Sequence, residues 1–181
     1  MKDSHGRNAL LNDVAHMTRQ VQQLLLLTEA SEAQNYQFAE VELADITTEA
    51  TDYLQRMAEA AEVRLVLAQN ASSGAPWQAD RSALFTLLKN LLENAIQHAP
   101  RGTEVRVEIG RDELSVRDWG PGVDREQLPH LFARFWRGAH RRDHGAGLGL
   151  TICQEIAQAH GWTLSAKRAK PGLLLQLSRR G

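Results

Sequence analysis

Three short motifs in the second half of the chain contain the residue types best suited to chemistry. They are Asn90 and Asn94 within residues 87–98, the Asp-Trp-Gly-Pro-Gly run at residues 118–122, and the Gly-Ala-Gly-Leu-Gly-Leu run at residues 145–150. In the last run, alternating glycines precede a predicted helix, so backbone N–H groups and the helix dipole can meet an anion. A plain turn before a helix is the alternative interpretation. The run is neither a Walker A loop, because no Gly-Lys-Ser/Thr follows, nor a dinucleotide fingerprint, because no strand directly precedes it.

Asp118 follows a predicted strand and stands close to Gly120 and Gly122. Its carboxylate can accept a hydrogen bond from an exocyclic amine, while the glycine turn leaves room for a flat ring. A buried carboxylate is costly unless it is paired, so adenine would supply the missing partner. The alternative is a solvated aspartate in a turn that ends the strand.

Asn90 and Asn94 are four residues apart, so both side chains leave one face of a predicted helix. Amide oxygens are hard ligands that suit a Mg²⁺ ion still holding waters and phosphate oxygens. Asparagine is also a poor helix former, which makes two of them in a leucine-rich helix unusual. Two exposed polar positions are the alternative. Together with the other two motifs, the pair indicates a site for Mg-ATP.

The order and spacing of the motifs resemble the N, G1 and G2 boxes of the histidine-kinase ATP-binding domain. That domain shares its Bergerat-type fold with gyrase, Hsp90 and MutL, the GHKL group. Residues 131–138, Leu-Phe-Ala-Arg-Phe-Trp-Arg-Gly, resemble the F box of sensor kinases, and residues 17–27 resemble the second helix of the kinase dimerisation domain. The resemblance to the ATP-binding domain covers roughly residues 38–178.

The resemblance implies a role for each matching residue. Asp118 would bind the adenine amine, and Gly120 and Gly122 would shape the base pocket. Asn94, with help from Asn90, would hold Mg²⁺ and the phosphates. Phenylalanines would anchor a lid, arginines would neutralise phosphate charge, and glycines would cradle the phosphate tail. The further nucleotide-binding residues implied are His98, Phe132, Phe135, Arg141, Gly145, Gly147, Leu148 and Gly149, and Arg137 joins Asn90 as a catalytic residue.

Three positions depart from the family pattern. Gln97 stands where a Lys or Arg is frequent, so one cationic phosphate contact is expected to be missing. His98 replaces a frequent aromatic residue and can stack on adenine or stay a surface histidine, and Ala146 offers no side-chain ligand.

One position separates kinases from hydrolases of this fold. In the gyrase type, a glutamate one turn before the metal-binding asparagine activates water; here that position is Asn90, which cannot act as a general base. Glu93 directly precedes Asn94 and points about 100° around the helix from it. We therefore expect a protein-histidine kinase. A GHKL-type ATPase, a serine kinase of the anti-sigma-factor type and a non-catalytic ATP-sensing interaction module are the alternatives.

The phosphoacceptor is the difficulty for this interpretation. Sensor kinases phosphorylate a histidine followed by an acidic residue, and no such pair occurs in the sequence; His5 precedes Gly6 and His16 precedes Met17. We expect the acceptor helix to be absent and Met1 to start a shortened chain, which binds ATP without phosphorylating itself. The expected partners are a second copy, through the N-terminal helix of the full protein, and a response regulator receiver domain.

Hydrophobic periodicity indicates the elements that must position these motifs. A helix is predicted over residues 8–32, because Leu10, Val14, Met17, Val21 and Leu24 form a bundle or coiled-coil stripe. Residues 28–37 predict a linker, and residues 70–76 and 133–145 predict loops. Further helices are predicted from Asp45 to about residue 61 with Tyr53 on the inner face, over residues 81–98 after an Asp80 cap, and over 124–132 and 148–160. Strands are predicted over residues 38–43, 63–67, 104–109, 113–117, 163–167 and 173–177.

These elements predict an α/β (α+β) two-layer sandwich, with a mostly antiparallel sheet covered by helices on one face and preceded by the long N-terminal helix. The predicted domains are a partial dimerisation/phosphotransfer domain at residues 1–34 and a catalytic ATP-binding domain at residues 35–181.

Composition bounds the class of protein. The 181 residues are 43% hydrophobic and 24% charged, which is typical of a globular chain. A net charge of -1 gives no general attraction to nucleic acid or anionic membrane, so neither is an expected partner. The single cysteine, Cys153, excludes an intramolecular disulfide and fits a reducing compartment. No run approaches the roughly 20 apolar residues that span a bilayer, so we expect a soluble cytoplasmic portion of a bacterial inner-membrane sensor, with membrane contact only through segments outside this chain.

Overall fold

The computed structural model describes residues 3–32, 35–69, 74–136 and 148–179. The first element is the helix α1, Asp3–Ser31, so the predicted N-terminal helix is confirmed and begins five residues earlier than expected. It also extends into the predicted linker as far as Ser31. Among the described residues, no helix is both long enough and apolar enough to cross a membrane.

The apolar stripe of α1 is covered only near its C-terminal end. Its predicted members, from Leu10 to Leu24, are between 44% and 66% exposed. One turn further on, Leu27 and Ala30 are buried in the hydrophobic core, where α1 packs on the helix α4, Gly149–Ala159. The helix is therefore anchored on the rest of the chain at one end and presents its apolar side to solvent over the remainder.

The remaining elements form a sandwich of helices on a mixed sheet. The helices are α2, Leu43–Ala60, and α3, Arg81–His98, together with α4. The strands are β1, Phe38–Val41; β2, Arg64–Gln69; β3, Trp77–Asp80; β4, Glu104–Ile109; β5, Glu113–Arg117; β6, Thr163–Arg168; and β7, Leu173–Ser178.

Five strands form the main sheet in the order β2-β4-β5-β7-β6, while β1 and β3 form a separate antiparallel pair. In the main sheet only β2 and β4 are parallel, and the other neighbours are antiparallel. Alternate side chains of β4, β5 and β7 are buried against α3 and α4. The predicted fold class is confirmed, with the sheet more mixed than a purely antiparallel one.

Several local predictions differ from the structure. The helix α2 begins two residues before Asp45, after Glu42, which makes no side-chain cap, so the predicted Asp45 cap is wrong. Tyr53 is 64% exposed and packs edge-on against Phe85 at 5.7 Å between ring centroids, at the rim of the core. The strand β3 was not predicted, because only residues 77–79 stand between the predicted loop over 70–76 and the predicted cap at Asp80. The predicted helix over residues 124–132 is reduced to one 3₁₀ turn, Leu128–His130.

Candidate functional site

The helix α3 runs through the centre of the site and carries both asparagines. It begins after Asp80, whose Oδ1 accepts a hydrogen bond from the backbone N–H of Ala83 at 2.9 Å, so the predicted cap is confirmed. Its leucines are fully buried against the sheet and α4, which fixes the rotation of the helix about its axis. Asn90 therefore lies on a buried face of α3, with its side chain 6% exposed, and Asn94 is half-buried one turn later.

The Asn90 amide is oriented by its own helix. Its Nδ2 donates a hydrogen bond to the carbonyl oxygen of Thr86 at 2.8 Å. The Oδ1 atom faces the first residue of α4: a Cβ added to Gly149 would lie 3.1 Å from it. Because a helix N-terminus attracts anions, the amide oxygen stands where a phosphate or its counterion would meet α4.

Asp118 lies directly after β5 and is 3% exposed. Its Oδ1 accepts a hydrogen bond from the backbone N–H of Gly120 at 2.7 Å, and its own N–H donates to the carbonyl of Leu173 at 3.1 Å. Burial raises the pKa of the Asp118 carboxyl, and the N–H groups of Gly120 and Leu173 and the charge of Arg117 oppose that rise only in part. The carboxylate is therefore held in a fixed position at an energetic disadvantage, which a hydrogen-bond donor from a ligand would relieve.

The two predicted pocket glycines are required by close packing. A Cβ on Gly120 would collide with the carbonyl oxygen of His98, the last residue of α3. Gly122 has φ +68°, and a Cβ there would lie 2.7 Å from the carbonyl oxygen of Gly172. The loop after β5 is thus seated between the end of α3 and the turn that joins β6 to β7. His98 itself is half-buried beside this loop.

The segment that resembles an F box is joined to the start of α4. The hydroxyl of Thr151 donates to the carbonyl of Phe132 at 2.9 Å, and Leu148, immediately before α4, is fully buried. Phe132 is half-buried against the core, whereas Phe135 is 62% exposed with φ +59°. The other residues of this region that the sequence analysis singles out lie outside the described residues: Arg137, Arg141, Gly145, Ala146 and Gly147.

Comparison with protein families identifies this arrangement. The model of the histidine kinase-, DNA gyrase B- and HSP90-like ATPases matches residues 79–177, which is more than half of the chain. The chain belongs to this family. The match begins at β3 and ends in β7, so it includes α3, the Asp118 loop and α4.

The family members most similar to the chain include sensor kinases. Sensor protein QseC of Escherichia coli K12 is 35% identical over 168 residues, which are 90% of this chain and 36% of QseC. The solved cytoplasmic segment of histidine kinase QseC is 28% identical, covers 92% of each chain and has a TM-score of 0.65. The chain spans about a third of the length of the whole QseC sequence.

Two further solved structures share the fold. Full-length ShkA in complex with AMPPNP has a TM-score of 0.80, with 99% of this chain and 39% of ShkA covered at 22% identity. Histidine kinase ThkA in complex with response regulator protein TrrA has a TM-score of 0.71, with 94% of this chain and 48% of ThkA covered at 20% identity. At these identities the likeness is one of fold.

In this family member, sequence reasoning missed two residues that shape the site. Gly172 has φ +98°, and an added Cβ would collide with the carbonyl oxygen of Asp118, so the β6–β7 turn and the Asp118 loop pack backbone against backbone. The Pro171-Gly172 pair between two strands marks a turn, but nothing in the sequence indicates what that turn touches. Thr151 reads in the sequence as an ordinary helix residue, yet it is the one that joins α4 to Phe132.

The described residues suit a loosely held cation better than a closed metal site. No group of three or more His, Cys, Asp or Glu side chains in the described ranges could hold a metal ion. Asn90 turns its amide oxygen toward the start of α4, and Asn94 follows on the same helix. Neutral amide oxygens from one helix fit a Mg²⁺ ion that takes its other ligands from phosphate and water.

Proposed function

We propose that this chain is the ATP-binding, phosphate-donating part of a sensor histidine kinase. The observation that carries the proposal is the buried Asp118 carboxylate, oriented by Gly120 and placed beside the end of α3. An acceptor of this kind suits the exocyclic amine of adenine. The family membership and the similarity to QseC support the same assignment.

In this proposal the site residues take the following roles. Asp118 binds the adenine amine between walls shaped by Gly120, Gly122 and His98. Asn94 and Asn90 hold Mg²⁺ and orient the phosphates, which lie toward the N-terminus of α4. Leu148 and Gly149 begin that helix, Phe132 and Phe135 anchor the lid, and Gly145, Gly147, Arg137 and Arg141 complete the phosphate cradle. When bound, Mg²⁺ would neutralise charge on the transferring phosphate.

Transfer to a histidine is favoured over hydrolysis of ATP by the surroundings of α3. Asn90 has no basic group to offer, because its amide nitrogen is only a hydrogen-bond donor, here to the Thr86 carbonyl, and its oxygen is a neutral amide oxygen. The nearest acid in sequence, Glu93, forms an ion pair with Lys89 at 3.5 Å along the helix. This carboxylate is held by Lys89 and points about 100° around the helix from Asn94, so it is poorly placed to activate water at the phosphates that Asn94 would hold.

The partners follow from the same assignment. Residues 1–34 would be part of a dimerisation domain and residues 35–181 the catalytic domain. The exposed stripe of α1 would join a second copy in the full protein, and a response regulator receiver domain would receive the phosphate, as the complex of ThkA with TrrA illustrates for that kinase. The chain would be the cytoplasmic portion of an inner-membrane sensor; the solved segment of QseC to which it is similar is a cytoplasmic segment.

A transfer assay tests the proposal. Purified chain is incubated with γ-labelled ATP and Mg²⁺, with and without a dimerisation domain that carries a histidine followed by an acidic residue. We expect acid-labile, base-stable label on the added domain and none on the chain alone, since the sequence holds no such histidine pair. Asn94→Ala should abolish transfer, while Gln55→Ala, which removes an exposed amide on α2, should not. Binding of ATP without transfer to any acceptor domain would favour a sensing module, and steady release of phosphate would favour an ATPase.

A further inference from the structure

In the sequence Trp119 stands between Asp118 and Gly120, and the proposed function gives its side chain no role. Strand alternation places it on the same side as Arg117, on the outer face of the sheet, while Asp118 points to the helices. The indole ring lies under two guanidinium groups: the Cζ of Arg117 is 4.4 Å from the ring centroid and that of Arg106 is 5.8 Å. Both distances are within the range of a cation–π interaction.

The two arginines lie so close that other contacts must offset the repulsion between their charges. Arg106 and Arg117 are directly opposite each other on β4 and β5, and like charges in that position repel. Arg106 is paired with Glu104, whose Oε1 accepts from Nε at 3.0 Å and from Nη2 at 2.7 Å. The Nε of Arg117 is buried, and no hydrogen-bond partner is present for it within the described residues. The face of the Trp119 ring therefore compensates Arg117 together with the charge of the Asp118 carboxylate, and this contact ties the ring to the sheet.

Fixing the ring also fixes the backbone that carries Asp118. The loop is confined by the His98 carbonyl at Gly120 and by Gly172 at the Asp118 carbonyl, and the clamped indole restrains it on the third side. We propose that Trp119, clamped by Arg117 and Arg106, is a positioning residue that sets the discrimination of adenine from guanine by Asp118. This inference rests on the proposed function, because it assigns a determinant of base specificity to the proposed ATP site.

The chemistry of the two bases supplies a readout that a merely structural role would not move. Adenine presents an amine donor at the position where guanine presents a carbonyl acceptor. A fixed carboxylate accepts from the amine and repels the carbonyl oxygen, so ATP is preferred over GTP. A loop released from the sheet lets the carboxylate move away from either base, which weakens ATP binding and lowers the preference together.

The test measures dissociation constants of Mg-ATP and Mg-GTP by calorimetry, at a temperature where each variant is folded by circular dichroism. Trp119→Ala should bind ATP about tenfold more weakly, with a similar fall in the ratio of GTP to ATP dissociation constants. Trp119→Phe keeps an aromatic face and should stay within about threefold of the unmodified chain in both quantities. Arg117→Met keeps the stem without the charge and should lower the ratio by about threefold.

Arg179→Met is the matched control, because it removes a cation 5.5 Å above the ring of Trp77, at the other end of β5 from Asp118. It should lower thermal stability and leave the ratio unchanged. If the unmodified chain binds neither nucleotide, the proposed function itself fails. If it prefers ATP and Trp119→Ala or Arg117→Met keeps the full preference, the clamp is overturned while the proposed function stands. Should Trp119→Ala not fold, Trp119→Leu decides the question, because it removes the aromatic face and leaves the charge of Arg117, which also acts directly on the Asp118 carboxyl.

Discussion

Replacing Asp118 with asparagine separates the contribution of its charge from that of its shape. The asparagine Oδ1 can still accept the hydrogen bond from the Gly120 N–H, which is 2.7 Å from Asp118 Oδ1, so the loop should keep its conformation. What changes is the proposed site for the adenine amine: a charged acceptor becomes a neutral amide whose NH₂ group opposes another donor. Hydrogen bonds to charged groups contribute about 1.5–3 kcal/mol, so ATP should bind roughly 10- to 150-fold more weakly.

The same replacement should not harm the unliganded protein. Burial raises the pKa of Asp118 above its ordinary value of 3.8, so the folded state binds a proton more readily than the unfolded state does. A group of this kind favours folding at pH values below its unfolded pKa, and that contribution is lost as the pH rises through the folded pKa. At neutral pH the ionised carboxylate is therefore a cost that Asp118→Asn removes. The melting temperature of the variant should equal or exceed that of the unmodified chain at neutral pH, and the difference should shrink as the pH falls toward 3.8.

The assay combines calorimetric titration with Mg-ATP and thermal melts of the nucleotide-free chain across that pH range. Asp124→Asn makes the same chemical change at an exposed carboxylate in the same loop, and it should alter neither quantity. Affinity for ATP in the unmodified chain should also fall as the pH drops through the raised pKa of Asp118, and the asparagine variant should lack this dependence. Unchanged ATP affinity in Asp118→Asn would refute the assignment of Asp118 to the base, and a large loss of stability would refute the account of its burial.

Three further outcomes test other contacts. Gly172→Ala should lower the free energy of unfolding by about 2–3 kcal/mol, because φ is +98° and the Asp118 carbonyl leaves no room for a Cβ. Gly161→Ala has φ +70° with nothing within 4 Å of the added Cβ and should lose only about 1 kcal/mol, so equal losses would contradict the packing argument. Burial lowers the pKa of His160, whose Nε2 accepts a hydrogen bond from the Asp80 N–H at 3.0 Å, so the free energy of unfolding should fall as the pH drops below 6.5. Urea titrations should show a shallower fall in His160→Gln than in the unmodified chain. The exposed control His130→Gln should show the same pH dependence as the unmodified chain. Burial raises the pKa of the Cys153 thiol, which is fully buried, so labelling by a thiol reagent should occur at the rate of global unfolding; faster labelling would show local opening of α4.

Features that depend on neighbours in the chain were predictable from the sequence. The Asp80 cap depends only on local sequence, because its carboxylate accepts a hydrogen bond from a backbone N–H three residues later. The structure has this cap where it was expected. The stripe of α3 and the alternation of β4 and β5 placed the Asp118 loop after a strand and the asparagines on a helix, which the structure confirms. The order of the three motifs was sufficient to indicate the family, because those motifs combine local backbone geometry with the chemistry of a nucleotide.

Tertiary structure alone decided which distant residues complete the site. The antiparallel register of β5 and β7 brings Gly172 against Asp118, 54 positions earlier in the chain, and the register of β4 and β5 sets Arg106 opposite Arg117. The order of strands also places the Trp119 ring beneath both guanidinium groups. No periodicity in a sequence carries this information, since alternation predicts which face a side chain takes but not which strand will lie beside it. The sequence thus determined the chemical groups of the site, and strand pairing determined how firmly they are held.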